Sequence, residues 1–215
     1  MRSLLRLFLV IQFAFSFLFL RGQTLLTDSL FHPDSLRHIV EVLASDSLKG
    51  RFTGTLENYK AALFIAEEFK KAGLNYVAGN NAYFMEVKPT WFNVVGAIAG
   101  RSKAGQVIIF SAHYDHLGTD VTNPFKSVGG DAIVERGDNI FNGANDNASG
   151  TAAVICLAKY FKALDSNERT LLFVAYTGEE LGLLGSKYFV DNCETYSIIA
   201  VINIEMIGRS DSKKV

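Results

Sequence analysis

The chain has 215 residues, of which 49% are hydrophobic and 20% are charged. This composition is that of a globular protein and excludes fibrous and disordered chains. The formal net charge is −1, and no basic stripe is interleaved with aromatic residues, so we expect no nucleic-acid partner and no binding to an anionic membrane surface. The length suits one α/β domain.

The first segment, residues 1–22, has the layout of a secretory signal peptide. Two arginines accompany an almost wholly apolar run from Leu7 to Leu20, and the small residue Gly22 follows. We expect cleavage near Gly22, which leaves residues 23–215 as one exported domain, periplasmic or extracellular, without stable membrane insertion. The alternative is an uncleaved N-terminal membrane anchor, although the apolar run is shorter than the ~20 residues that span a bilayer.

The two cysteines, Cys156 and Cys193, are too few for a disulfide scaffold. Export makes a single disulfide chemically feasible. Cys156, however, stands in an apolar run that is typical of a buried helix position. We therefore predict two unpaired structural cysteines.

In residues 23–215, the spacing of the apolar residues predicts alternating helices and strands. The apolar run Val107–Phe110 favours a strand in the centre of a sheet. Residues 119–145 are rich in Gly, Asn and Asp and predict a long loop, of which residues 119–142 are either a lid or plain surface. The alternation in the second half indicates an α/β fold with parallel central strands. Helices are predicted over residues 34–49, 56–72, 149–161 and 181–191, and strands over residues 82–88, 92–98, 106–112, 170–176 and 197–204.

Side chains that can bind a metal ion follow successive strands of the second half. In open α/β sheets, ligands bind at the carboxyl ends of the strands. Imidazole and carboxylate ligands suit Zn²⁺ at about 2.0–2.2 Å, and a divalent cation relieves the repulsion among clustered carboxylates. The candidates are His113, Asp115, Asp146, Glu179, Glu180 and Glu205.

Each of these residues taken alone has a simpler structural explanation. His113 could be a hydrogen-bonded core histidine, Asp146 could cap the next helix, and Glu179 and Glu180 could be first-turn acids that favour a helix N-terminus. Together, these explanations must account for an acid or a histidine after four successive strands, which weakens them. His116 is interpreted as a loop residue without a partner.

Three segments in order resemble the signature blocks of the co-catalytic zinc aminopeptidase family, which includes bacterial leucyl aminopeptidases, carboxypeptidase Q and glutamate carboxypeptidase II. They are Ser111–Gly118 (SAHYDHLG), Gly143–Gly150 (GANDNASG) and Thr177–Ser186 (TGEELGLLGS). Shorter likenesses occur at Gly50–Arg51 and Asn93–Gly96. The resemblance implies a three-layer α/β zinc-peptidase fold of the phosphorylase/hydrolase-like type, with a mixed, centrally parallel sheet.

The resemblance also implies two zinc ions bridged by one aspartate, which corresponds to Asp146. By position, His113 and Glu205 correspond to ligands of the first zinc, and Glu180 corresponds to a ligand of the second zinc. The family usually has an aspartate where this chain has Glu205, a residue that keeps the carboxylate and is one methylene longer.

The catalytic roles come from the same resemblance. Glu179 corresponds to the general base that activates water, and Asp115 corresponds to the carboxylate that orients the histidine ligand. The implied reaction is hydrolysis of the peptide bond at the N-terminus of a peptide substrate.

One departure concerns the second zinc, for which the family supplies a histidine from well downstream of the last block. None of His32, His38 and His116 stands at the matching place. We therefore expect a C-terminally truncated domain that holds one zinc ion or none and turns over little substrate by itself. Two alternatives stay open: a glutaminyl cyclase-like acyltransferase with a single zinc, and a catalytically inactive binding domain of the same fold.

Overall fold

The computed structural model describes residues 33–77, 82–122, 138–193 and 197–209. The predicted signal peptide and most of the predicted long loop lie outside the described residues. Within those ranges, no helix combines the length and the apolarity needed to cross a bilayer.

Helices and strands alternate along the described chain. The helices are α1 (Pro33–Leu43), a 3-10 helix (Asp46–Arg51), α2 (Leu56–Lys71), α3 (Gly150–Leu164) and α4 (Leu184–Asp191), with an irregular helical turn over Ala144–Ser149 directly before α3. The strands are β1 (Phe84–Lys88), β2 (Trp91–Ile98), β3 (Lys103–His113), β4 (Gly118–Thr119), β5 (Ile140–Phe141), β6 (Arg169–Tyr176) and β7 (Ser197–Asn203).

A five-stranded mixed sheet with the order β1-β2-β6-β3-β7 forms the framework. β1 and β2 pair antiparallel, as do β2 and β6, whereas β3 pairs parallel with both β6 and β7. The mixed α/β sheet with parallel strands at its centre is therefore confirmed. The apolar strand β3 lies inside the sheet, but β6 and not β3 holds the middle position. The two-residue strands β4 and β5 form a separate small ladder.

Helices cover both faces of the sheet, which gives three layers. On one face, α1, α2 and α3 pack their apolar sides around residues such as Ile65, Phe69 and Phe173. On the other face, Phe189 of α4 joins Leu172 of β6 in a smaller core. Full burial of one such side chain stabilises the fold by about 1.5–3 kcal/mol, so the larger core is the main source of stability.

The first predicted helix is shorter than its apolar pattern indicated. Residues 34–49 were expected as one helix, but α1 ends at Leu43 and a 3-10 helix begins at Asp46. Within it, Lys49 and Gly50 have φ values of 43° and 67°, in the left-handed region that interrupts a regular helix. The kink turns the chain so that Arg51 enters the interior, where it is fully buried.

Strand β7 lies at one edge of the described sheet and pairs only with β3. All seven of its residues are exposed, including Ile198 and Val201. Cys156 is buried in α3, as its apolar run indicated, and Cys193 is buried as well.

Asn93 of β2 fixes the segment that follows β6. Its side chain is fully buried, its Nδ2 donates to the carbonyl of Gly185 at 2.8 Å, and its Oδ1 accepts from the backbone N–H of Thr177 at 3.1 Å. Residues 178–184 are therefore held at both ends by one amide.

Replacement of Asn93 by alanine leaves two buried backbone groups without their partner. We expect Asn93→Ala to lower the free energy of unfolding by about 1–3 kcal/mol, measured by urea denaturation. The matched control is Asn192→Ala, because Asn192 is exposed and bonds only within its own helix end. We expect a change below about 0.5 kcal/mol for the control, and equal losses in the two variants would contradict the assigned role.

Candidate metal centre

The polar residues predicted to form a site converge at the carboxyl ends of β3 and β6. These strands run parallel in a register that pairs His113 with Tyr176. Residues 113–116 and 177–180 therefore leave the sheet side by side, and the turn Ala144–Ser149 packs against them.

His113 is buried, with 4% of its surface exposed, and lies between two acids. Its Nε2 is 3.1 Å from Oδ1 of Asp146. Its Nδ1 is 3.2 Å from the backbone carbonyl oxygen of Asp115 and 3.6 Å from that residue's carboxylate. Burial lowers the pKa of His113, but the two carboxylates outweigh that effect and raise the pKa to about 10. The site therefore has an excess of negative charge that attracts a cation.

Asp115 has no solvent exposure and accepts three hydrogen bonds. They come from Thr53 Oγ1 at 2.8 Å and from the backbone N–H groups of Glu179 at 3.2 Å and Glu180 at 3.3 Å. A carboxylate that accepts several hydrogen bonds is held in one orientation. Asp115 thereby fixes the backbone that carries both glutamates, in addition to its contact with His113.

The adjacent residues Glu179 and Glu180 have different surroundings. Glu180 Oε1 lies 2.8 Å from Nδ1 of His116, whereas Glu179 lines a cavity of about 240 Å³ together with His113 and Glu205. Burial raises the pKa of Glu179; His113 opposes this effect, and the neighbouring carboxylates add to it. One glutamate thus lies in the polar cluster and its neighbour faces the cavity.

One potential ligand atom from each of His116, Asp146 and Glu180 lies within 4.8 Å of the other two. The interpretation of His116 as a loop residue without a partner is therefore wrong, because it is buried against Glu180. The available signal was its position three residues after His113, at the same strand end. Asp146 contacts His113 and also lies in the three-residue cluster with His116 and Glu180. The hydrogen bond from His113 lowers the pKa of Asp146, although burial acts in the opposite direction.

Arg51 holds together the backbone segments next to the site. The sequence did not indicate this role. Its fully buried guanidinium donates to four backbone carbonyl oxygens. Burial lowers its pKa to about 10, and the acids of the site oppose that effect. The carbonyl partners are those of Leu43, Tyr114, Asn142 and Gly143.

Gly143 precedes the irregular turn and permits a close approach of the His116 ring. Its φ is +62°, and an added Cβ would lie 2.5 Å from the imidazole of His116 and 2.4 Å from the carbonyl oxygen of Asp146. Only glycine fits this position without displacing one of them.

Glu205 does not enter the three-residue cluster. It follows β7, is exposed, and its Oε1 accepts a hydrogen bond from Asn203 Nδ2 at 3.1 Å. It lines the same cavity as His113. The structure therefore places it at the rim of the site.

The donor set fits zinc. Two imidazoles and several carboxylates converge on a partly buried, negatively charged position, and zinc accepts this mixture of nitrogen and oxygen ligands.

Comparison with known proteins gives matching results. The model of peptidase family M28 matches residues 93–215. A probable zinc metalloprotease of Pyricularia oryzae is 35% identical over 124 residues, which are 57% of this chain and 22% of the relative. Aminopeptidase YwaD of Bacillus subtilis is 30% identical over 125 residues, which are 56% of this chain and 23% of the relative. The chain thus spans under a quarter of the length of these relatives.

A solved structure shows the same fold. The crystal structure of LapB from Legionella pneumophila superposes with a TM-score of 0.63 at 22% identity, covering 84% of this chain and 45% of that one. The family match spans more than half of the chain and includes all three blocks that carry the candidate ligands. The chain therefore belongs to peptidase family M28, a family of zinc metallopeptidases.

Proposed function

We propose that this chain contains the catalytic centre of an exported, zinc-dependent aminopeptidase that hydrolyses the N-terminal peptide bond of peptides. The observation that supports this most directly is that potential metal ligands and a separate glutamate lie next to one another at the strand ends. Asp146 contacts His113 and lies in the cluster with His116 and Glu180, while Glu179 faces the adjoining cavity. Export is proposed from residues 1–22 alone, with an N-terminal membrane anchor as the alternative.

His113, Asp146 and Glu180 would hold zinc, with Glu205 as a further carboxylate at the rim of the cavity. When bound, zinc lowers the pKa of a water molecule and polarises the carbonyl group of the scissile bond. The chain's own contribution is to fix the ligands. Asp115 does so from a fully buried position, because it accepts hydrogen bonds from the backbone of Glu180.

Glu179 is the proposed general base. It takes a proton from the attacking water and later delivers that proton to the nitrogen of the leaving amine. Its raised pKa brings it closer to the neutral range in which both transfers are efficient. The free α-ammonium group of a peptide is attracted to the acidic site, which favours cleavage at N-termini.

The two alternatives predict different outcomes. A glutaminyl cyclase-like acyltransferase would bind one zinc ion and cyclise N-terminal glutamine without hydrolysis. A binding domain of the same fold would do neither. The presence of both Glu179 and Glu180 favours hydrolysis, and turnover assays on aminoacyl and glutaminyl substrates distinguish the three functions.

Zinc binding depends on Glu180 if the cluster is a metal centre. We expect the full chain to retain at least one zinc ion per molecule after dialysis, measured by elemental analysis. Glu180→Ala should weaken zinc binding by at least about 10–100-fold. Glu67→Ala is the matched control, since Glu67 is exposed on α2. A wild-type chain without zinc, or equal zinc in all three proteins, would contradict the assignment.

Glu179→Gln should separate chemistry from metal binding. The amide cannot accept the proton of the attacking water, so we expect kcat on an aminoacyl-p-nitroanilide to fall by about 10²–10⁴-fold. Zinc content should stay at the wild-type level, because Glu179 faces the cavity and not the cluster. If the variant keeps wild-type turnover, or if the zinc-loaded wild type has none, Glu179 is not the base of a hydrolase formed by this chain.

A further inference from the structure

The hydroxyl of Thr53 lies between the buried carboxylate of Asp115 and the turn that carries the two glutamates. Thr53 is itself buried, with 4% of its surface exposed. Its Oγ1 donates to Oδ2 of Asp115 at 2.8 Å and accepts from the backbone N–H of Gly178 at 3.1 Å. One hydroxyl therefore joins the segment before α2 to the turn after β6.

This pair of side chains binds three consecutive backbone N–H groups of the turn. Asp115 accepts from the last two, since its Oδ1 bonds to Glu179 at 3.2 Å and its Oδ2 to Glu180 at 3.3 Å. Thr53 accepts from the first, that of Gly178. The same Oδ2 that holds Glu180 receives the proton of the Thr53 hydroxyl, so the three bonds form one connected chain.

We propose that Thr53 is a positioning residue for the general base Glu179. Its hydroxyl fixes the turn at Gly178 and orients Asp115, and together they determine where the carboxylate of Glu179 lies. The inference rests on the proposed function, because it takes Glu179 to be the base of a hydrolase. Thr53 precedes the residues 93–215 that match the family model, so a segment outside that match contributes to the site.

The segment that carries Thr53 is fixed on both sides of this residue. Asn58, which is fully buried, donates from Nδ2 to the carbonyl of Arg51 at 3.1 Å. Its Oδ1 accepts from Oγ1 of Thr177 at 3.2 Å. The segment thus contacts two successive residues of the strand end, Thr177 and Gly178, and a β-branched side chain such as that of Thr53 has few rotamers available.

Loss of the hydroxyl would leave a buried N–H without its acceptor and a buried carboxylate short of one donor. Such groups are costly unless the structure moves to pair them, so the turn is expected to shift. A displacement of about 1 Å in a catalytic arrangement can lower the rate by about 10²-fold. The effect should therefore fall on the chemical step, in addition to any effect on stability.

A purely structural role predicts a loss of stability without a specific effect on the site. Thr170 offers a matched control, because its Oγ1 accepts from the N–H of Gly100 at 3.1 Å and donates to the carbonyl of Ala104 at 2.8 Å. It lies near the start of β6, roughly 20 Å from the end of that strand at Tyr176. Thr170→Val removes a bridging hydroxyl by the same substitution, away from the site.

The test compares the zinc-loaded full chain with Thr53→Val, Thr53→Ser and Thr170→Val. Valine lacks the hydroxyl, whereas serine keeps it. kcat and KM are measured on an aminoacyl-p-nitroanilide at saturating zinc, with metal content checked by elemental analysis. Amide hydrogen exchange is followed by NMR, and urea denaturation gives the stability of each protein.

We expect Thr53→Val to lower kcat by about 10–100-fold at unchanged KM and unchanged zinc content, and Thr53→Ser to restore most of the wild-type kcat. In Thr53→Val, the amides of residues 178–180 should exchange at least about tenfold faster, beyond any change shared by the rest of β6. Thr170→Val should accelerate exchange at Gly100 and leave both residues 178–180 and kcat unchanged.

The inference is overturned if Thr53→Val keeps the wild-type kcat, if Thr170→Val lowers kcat equally, or if exchange at residues 178–180 rises only as much as in the rest of β6. The wild type alone provides a further check that needs no folded variant. If its Gly178 amide exchanges as fast as an exposed loop amide, Thr53 does not hold the turn. A zinc-loaded wild type without turnover overturns the proposed function together with this role, whereas turnover that Thr53→Val leaves intact overturns the inference alone.

Discussion

A carboxylate without solvent exposure needs hydrogen-bond donors to replace the water it has lost, and Asp115 obtains them from separate parts of the chain. Thr53 approaches from the segment between the 3-10 helix and α2, and the N–H groups of Glu179 and Glu180 come from the turn after β6. The parallel register of β3 and β6 allows this arrangement, because the last residues of the two strands, His113 and Tyr176, are paired. The positions of the two glutamates therefore depend on a side chain that need not contact substrate itself.

The charges around this carboxylate follow a consistent pattern. Asp146 and Glu180 each face an imidazole, His113 and His116 respectively. Arg51 lies beneath them as a buried cation whose donors all point to carbonyl oxygens. The acids thus outnumber the permanent positive charges, which is the condition under which a divalent cation stabilises a site most.

Much of this architecture could be predicted from the sequence. Apolar runs in the sequence predict all five strands of the main sheet to within a few residues. Polar residues at the predicted strand ends point to the site, and they include His113, Asp115, Asp146, Glu179 and Glu180. These features are local, and each is set by periodicity or by position in an element. The family resemblance supplied their proposed roles.

The features that the sequence did not predict are positions that depend on tertiary geometry. His116 follows the same strand as His113, but its contact with Glu180 depends on how the segment after the strand folds. Arg51 is an arginine after glycine in the sequence, and its burial depends on the left-handed residues that redirect the chain at Lys49 and Gly50. Glu205, expected among the ligands, is exposed at the rim of the cavity, where it accepts a hydrogen bond from Asn203. β6 lies in the middle of the sheet, because β1 and β2 lie on one side of it and β3 and β7 lie on the other. The order of strands in a sheet cannot be predicted from their apolarity.

The four carbonyl contacts of Arg51 have a consequence for dynamics. The guanidinium joins the end of α1, the segment after β3 and the segment before the irregular turn. Separation of any one of these segments would leave a buried cation short of its partners, which is costly. The surroundings of the ligands should therefore open as a single cooperative unit, and their amide hydrogens should exchange with solvent only at the rate at which the larger core unfolds.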